Sequence, residues 1–512
     1  MQLETCARCH SRRHIVHANY RPGNRYADHY GLSLLQEGLY HADGQILDEV
    51  YVYGSFLQSR MFHEKVACTD CHDPHTAGRR ISEKTGKPLV GNNLCTRCHT
   101  LAKYDGPAHH HHAEKEGLKR DGARCVDCHM PDKKYMLVDP RRDHSLRVPR
   151  PDLTVQLGTP NACNACHDKK EETPQWAAAK VAQWFGEKRA GNESFAQTLA
   201  LGRAGKPEGE ALLIELAKKP KAPAIARATA VSLLRNYPAS LRSLSAAERA
   251  LADKSELVRS AAVRTLGQLV ENIPLPRPFE FLDERLSPLL NDPQREVRIE
   301  AARVLSAVPP STFNAKETES LSRALQEYID AQDAVAERYT AHMNRGTLYE
   351  RLAQGRQADR DRAGAGEFLA KAVQAYETAI RVEPNRVGPR SNLAPQYDRL
   401  GRDADARKLR QQESQLLARN IGFLPKDAGL RYRYGMMQYT LGKMKEAELS
   451  LVKACELAPG SEHFLMSLAL FFHKIERWDE ALNRAERLLK MQPRNPTYRQ
   501  IHDRIRRRLP SD

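Results

Sequence analysis

The chain has 512 residues, 41% of them hydrophobic, and a formal net charge of +16 at pH 7. That length is too great for a single core, and no run of about eighteen apolar residues is present to cross a membrane as a helix. Nor does the charge read as a nucleic-acid footprint. Residues 1–170 carry 25 Lys/Arg against 20 Asp/Glu and the rest 55 against 44, spread along the chain with one cluster at Arg504, Arg506, Arg507 and Arg508.

Ten of the eleven cysteines and sixteen of the twenty histidines precede residue 170. In chain order they spell Cys-x-x-Cys-His five times: Cys6/Cys9/His10, Cys68/Cys71/His72, Cys95/Cys98/His99, Cys125/Cys128/His129 and Cys163/Cys166/His167. Two thiols at this spacing can form thioethers to the two vinyl groups of one haem, and the histidine behind them can ligate its iron from the proximal side. Zinc ribbons, redox dithiols and disulfides have no use for a histidine after every second cysteine. Five covalently bound haems c are therefore expected.

Successive first cysteines lie 62, 27, 30 and 38 residues apart. The shorter intervals leave no room for a conventional core, so the haems themselves are expected to be the core of a loop-rich segment with short helices. Five irons need five sixth ligands for bis-histidine ligation, and eleven histidines stand outside the motifs. His63, His75, His109 and His144 rank first as distal ligands, then His14, His17 and His29. Of the tetrad His109–His112 at least two must be bystanders. Arg141, Arg142, Arg147 and Arg150 suit haem propionates or a basic linker, and the tyrosines of the insert 21–60 are expected to pack.

The stretch Phe62–His75, then Gly91–His99 and Cys125–Pro131, resembles the doubled Cys-x-x-Cys-His multihaem cytochromes fused to tetratricopeptide repeats. These are exported bacterial proteins whose haem part is related to a tetrahaem electron carrier of nitrifying bacteria and, more distantly, to hydroxylamine oxidoreductase. The resemblance covers most of residues 1–185. It implies a periplasmic electron-transfer role with a redox partner protein at the haem segment. The Cys-x-x-Cys-Lys site of ammonia-forming nitrite reductases is not found. Thioether attachment requires export, yet no signal sequence precedes Cys6, so the natural product is expected to extend upstream with a signal peptide and further haem sites.

Beyond Cys166 the pattern becomes helical. Thr173-Pro174 opens a helix that Gly186 closes, and its Trp and Phe are expected to seal the haem segment. Arg-x-x-Ala-[Ala/Val]-x-x-Leu recurs at Arg227, Arg259 and Arg298, with Asp253 and Asp292 each six residues before an arginine, which resembles HEAT repeats. After Pro309-Pro310 the period is 34: Gly435, Ala447 and Pro459 are answered by Ala469, Ala481 and Pro493, which resembles tetratricopeptide repeats. One irregular unit is expected to be stretched by a polar loop near 354–366. Cys455 reads as a small buried apolar residue.

The expected architecture is mainly α. A loop-rich multihaem cytochrome segment, 1–172, precedes an α-solenoid, HEAT-like over 173–310 and of tetratricopeptide type over 311–512. The function expected is electron transfer, with the solenoid binding a protein or peptide. The alternative is an oxidoreductase of the hydroxylamine, nitrogen- or sulfur-oxyanion class with one open haem.

Overall fold

The computed structural model describes residues 2–76, 78–82, 85–112, 122–135, 137–187, 194–493 and 495–508. The fold is mainly α, and the helices gather into two compact units, Met1–Ala334 with Gln354–Arg360, and Val335–Ala353 with Asp361–Asp512. Among the described residues no helix is long and apolar enough to cross a membrane.

In the first unit the cysteine-rich stretch is a run of single helical turns and three two-stranded antiparallel ribbons: Arg13–Ile15 with Tyr30–Leu32, His72–Asp73 with Gly78–Arg79, and Asp132–Tyr135 with Asp139–Arg142. Its first sixty residues differ from its remainder. Leu35, Tyr40 and Val50 are fully buried and join one apolar cluster with the repeat helices, alongside Tyr20, Tyr26 and Tyr30. Arg203 donates to the carbonyls of Leu35 and Tyr40, and Arg295 to that of Asp28, so backbone groups of the loops are paired by repeat side chains. Between Leu57 and Ala177, by contrast, the buried hydrophobic residues among those described are Ala123, Tyr135 and Leu153. That stretch lacks an apolar interior of its own.

The repeat helices Pro207–Lys218, Ala224–Leu233, Leu241–Ala250, Glu256–Val270, Pro278–Leu286, Arg295–Leu305 and Ala315–Asp333 stack in pairs. Small residues on their inner faces, Ala226, Ala230, Ala262 and Ala301 among them, are fully buried and let the helices approach. The recurrent arginine ties one repeat to the next. Arg259 donates to the carbonyl of Asp253 in its own loop and makes a two-pronged pair with Asp292 of the following loop, 2.8 and 2.9 Å. Arg227 reaches Asp253 through one nitrogen only, and Arg298 makes a two-pronged pair with Glu327, 2.9 and 2.6 Å. Each aspartate also accepts from the backbone two residues on, at Ser255 and Gln294, fixing the turn that starts the next helix.

In the second unit, Ala428–Thr440 and Met444–Leu457 recur 34 residues later as Glu462–Lys474 and Trp478–Met491. Gly435 is required by close approach, since a Cβ there would lie 2.8 Å from Leu451 Cγ. Ala447, Ala469 and Ala481 are fully buried, and Pro459 and Pro493 follow the helix ends they terminate. Cys455 is half-buried against the same cluster. The expected polar loop at 354–366 is mostly helix: Tyr339–Ala358 and Arg362–Val382 leave three residues between them, and Asp361 caps the second by accepting from Gly364.

Candidate functional site

Each Cys-x-x-Cys-His spelling folds as one helical turn. The histidine N–H donates to the first cysteine's carbonyl at His10, His99 and His167, at 3.0, 3.0 and 2.9 Å, and His72 does the same to Cys68; the fourth motif is the helix Cys125–His129. Such a turn sets both sulfurs on one side and turns the histidine beneath them, as attachment to one flat ring requires.

The five turns are packed in chain order. Burial and the neighbouring Cys6 thiol push Cys68 up to about 12. Burial, Asp70 and Cys98 raise Cys71, and the hydrogen bond with Cys125 raises Cys95. Burial and Cys163 push Cys128 up to about 11. The hydrogen bond that raises the Cys95 thiol lowers the Cys125 thiol. All ten are free of disulfides.

The two thiols of a motif are not always equally enclosed. Cys9, Cys98 and Cys166 are exposed, whereas their partners Cys6, Cys95 and Cys163 are half-buried. The cause is the packing of the turns. Cys6 lies against Cys68 and Cys95 against Cys125, with Cys163 near Cys128, so these first cysteines are partly covered by an adjacent motif.

The histidines make the geometry specific. His72 faces His144 with ring centres 6.2 Å apart, His129 faces His109 at 6.2 Å, and His167 faces His112 at 6.0 Å. Imidazoles in van der Waals contact would sit closer. Two imidazoles held trans on one iron, at about 2 Å from metal to nitrogen and about 1.1 Å more to each ring centre, stand about 6 Å apart. Every pair joins one motif histidine to one histidine outside the motifs.

Hydrogen bonds leave the far ring nitrogen available in each pair. Nδ1 of His129 donates to the Arg147 carbonyl at 2.9 Å, that of His144 to the Arg142 carbonyl at 2.9 Å, and that of His167 to Glu172 Oε1 at 3.0 Å. His112 Nδ1 donates to the His110 carbonyl. Fixing the proton on Nδ1 presents Nε2 as the ligating atom. Burial also lowers the pKa of His109, His129 and His144, favouring the neutral ring that a metal needs.

The tetrad works by a change of backbone direction. Gly106 and Pro107 start a single turn, Pro107–His110, and His111 ends it in the left-handed region at φ 56°. His109 and His112 thus serve different motifs, while His111 stacks on Trp184 at 4.2 Å. The helix Pro174–Phe185 is capped as expected by Thr173, which accepts from Trp176 N–H. Its Trp176 lies 4.9 Å from His167, and Phe185 6.1 Å from His109, so this helix walls two of the three pairs.

The remaining expected ligands lie elsewhere. His29 is buried with both ring nitrogens engaged, Nδ1 to the Ala18 carbonyl and Nε2 to Asn24, and His17 packs beside it at 5.3 Å. His14 stands on the first ribbon strand with part of its surface open, where loss of solvation and then Arg264 lower its pKa, and a side chain on Gly31 would collide with its ring. His63 is exposed beside Phe62, and His75 is exposed in the turn made by Asp73. Among the described residues, neither His10 nor His99 faces a second imidazole across a comparable gap; His99 packs edge-on against Tyr104. His112 was not distinguished by sequence from its three neighbours, because only the left-handed turn at His111 separates their directions.

The four arginines after the fourth motif have protein partners. Arg142 pairs with Asp127 at 3.0 Å, Arg147 donates to the Asp43 carbonyl at 3.1 Å, Arg150 pairs with Asp152 and Arg141 with Asp139 at 2.7 Å. Among the described residues no group of three or more His, Cys, Asp or Glu is arranged around one metal ion. A haem asks less of the protein, since the porphyrin supplies four of the six nitrogens, and facing histidines beside paired thiols would suit that demand.

Residues 244–273 match the family model of the HEAT repeat. They span most of the pair Leu241–Ala250 and Glu256–Val270, where the arginine ladder begins. No curated protein matches the chain. Solved structures similar to parts of it include a thermophilic TPR protein of Thermus thermophilus, 21% identical over 36% of this chain and 93% of that one, TM-score 0.24. YrrB, a TPR protein with an unusual peptide-binding site, is 17% identical over 43% and 97%, TM-score 0.23. A human IFIT1 dimer is 15% identical over 65% and 80%, TM-score 0.29.

Proposed function

We propose that residues 1–172 bind five haems c covalently and pass electrons along them in an exported compartment, while the helical repeats bind a protein partner. The observation that carries this reading is the set of three histidine pairs at 6.0–6.2 Å, each uniting a motif histidine with one from outside. The ten motif cysteines would anchor the porphyrins, His10, His72, His99, His129 and His167 would hold one axial side, and His144, His109 and His112 the opposite side at three of them. When bound, such irons supply reversible one-electron transfer.

The chain's own groups then have defined tasks. The carbonyls of Arg142, Arg147 and His110 and the carboxylate of Glu172 orient the imidazoles. Trp176 packs beside His167 and Phe185 beside His109, walling the last two pairs. Adjacency of Cys6 to Cys68, Cys71 to Cys98, Cys95 to Cys125 and Cys128 to Cys163 would keep successive haems close enough for rapid exchange.

Expression with export in a host that attaches haem c tests the reading. Intact mass is expected to show five haem additions. His144→Ala, His109→Ala and His112→Ala are each expected to convert one low-spin ferric signal to high-spin while the haem count stays at five. Unchanged spectra in all three variants would remove the histidine pairs from the ligand set, and a chain exported without any haem would end the proposal.

A further inference from the structure

A cavity of about 330 Å³ opens beside the first motif, within the first unit. Its wall combines Tyr26 of the turn Tyr26–Asp28, the ribbon's Tyr30 and Leu32, then Tyr53, Leu57 and Phe62, with Ile225 and Leu257 of the repeat helices. Three carboxylates share it, Glu4, Glu256 and Glu296, and among the described residues no Lys, Arg or His lines it. Positive groups stand behind the wall: Arg13 lies over the outer face of Tyr30 at 4.3 Å, and Arg264 reaches Glu296 Oε1 at 3.7 Å.

Glu296 is the decisive residue. It is 2% exposed, and its Oε1 accepts from Ser260 Oγ at 3.2 Å, but its buried Oε2 has no hydrogen-bond partner. An orphaned buried carboxylate oxygen is costly unless something donates to it. A donor arriving through the cavity would meet aromatic faces, which attract cations, and apolar side chains that suit a hydrocarbon body. A quaternary ammonium has no N–H to give, and an anion would meet three carboxylates. The same carboxylates make the cavity unfit for a haem propionate.

We infer that this cavity binds a small primary amine, its ammonium donating to Glu296 and its apolar body lying among Tyr26, Tyr30, Tyr53 and Leu257. The inference does not depend on the haem reading.

Calorimetric titration of the full-length chain with benzylamine, at about pH 8 where carboxylates are ionised, tests it against benzyl alcohol, which has the same shape without the charge. Benzylamine is expected to bind saturably at one site and benzyl alcohol at least about tenfold more weakly, the factor that a hydrogen bond to a charged group carries. Glu296→Gln is expected to weaken benzylamine by about ten- to a hundredfold. Ala224→Phe, which fills the cavity from its rim, is expected to abolish binding and carries the test if Glu296→Gln does not fold. Equal affinity for the amine and the alcohol, absence of saturable binding, or undiminished binding in Ala224→Phe overturns the inference.

Discussion

Residues 58–172 and the repeat helices fix their chains by opposite means. The repeats bury a continuous file of Ala, Leu and Val, and in the first unit Arg259 and Arg298 lock one repeat to the next with bidentate pairs. The cysteine-rich stretch has three buried hydrophobic residues among those described, and its order comes from single turns, short ribbons and imidazole pairs set apart by a gap. Packing in the first is complete without a cofactor. In residues 58–172 no comparable apolar file is found among the described residues, and under the proposed function the haems would supply it.

That difference gives the predictions their scale. The largest effect is expected from Cys163→Ser combined with Cys166→Ser, which removes the anchor of one haem: intact mass falls to four additions, and proteolysis becomes fast between 107 and 172 while the repeat helices stay resistant. Equal resistance of that segment with and without the anchor would dissolve the contrast.

Within the repeats, Asp292→Ala strands Arg259, whose side chain is 12% exposed. Loss of a partner from such a pair costs about 3–5 kcal/mol, to be read from urea unfolding of the first unit, with haem count unchanged.

Where the two kinds of structure meet, burial raises Glu296 to about 7. A carboxyl whose folded pKa is raised binds its proton more tightly folded than unfolded, so its contribution is present below its unfolded value near 4.5 and is lost as pH rises through 7. Between pH 4.5 and 7 the unliganded first unit is expected to lose about 3 kcal/mol from this group, and Glu296→Gln should flatten that slope in urea midpoints measured across the range.

The smallest effect belongs to the cap of the helix that walls two histidine pairs. Thr173→Ala is expected to cost about 1 kcal/mol and to red-shift tryptophan emission as Trp176 and Trp184 loosen, without changing the haem count. A shift as large as that of Asp292→Ala would mean that this helix holds more than its local turn.

The sequence by itself determined the five thiol pairs with their histidines, the cap at Thr173, the arginine-aspartate rhythm and the 34-residue period, because each is a local pattern whose chemistry or periodicity is spelled by neighbours along the chain. Only the tertiary structure decided which distal histidine faces which motif. His144 reaches His72 across seventy-odd residues, and His112 parts from His109 through one left-handed residue, neither of which leaves a mark in spacing. The burial of the tyrosine-rich insert against the repeats was equally hidden, since its loops have no helical or strand period and their apolar partners are supplied by helices more than 150 residues away. Glu296 reads in sequence as one more acid on a helix. Its burial under the ribbon depends on Gly31, where a Cβ would come within 2.9 Å of Glu296 Oε1.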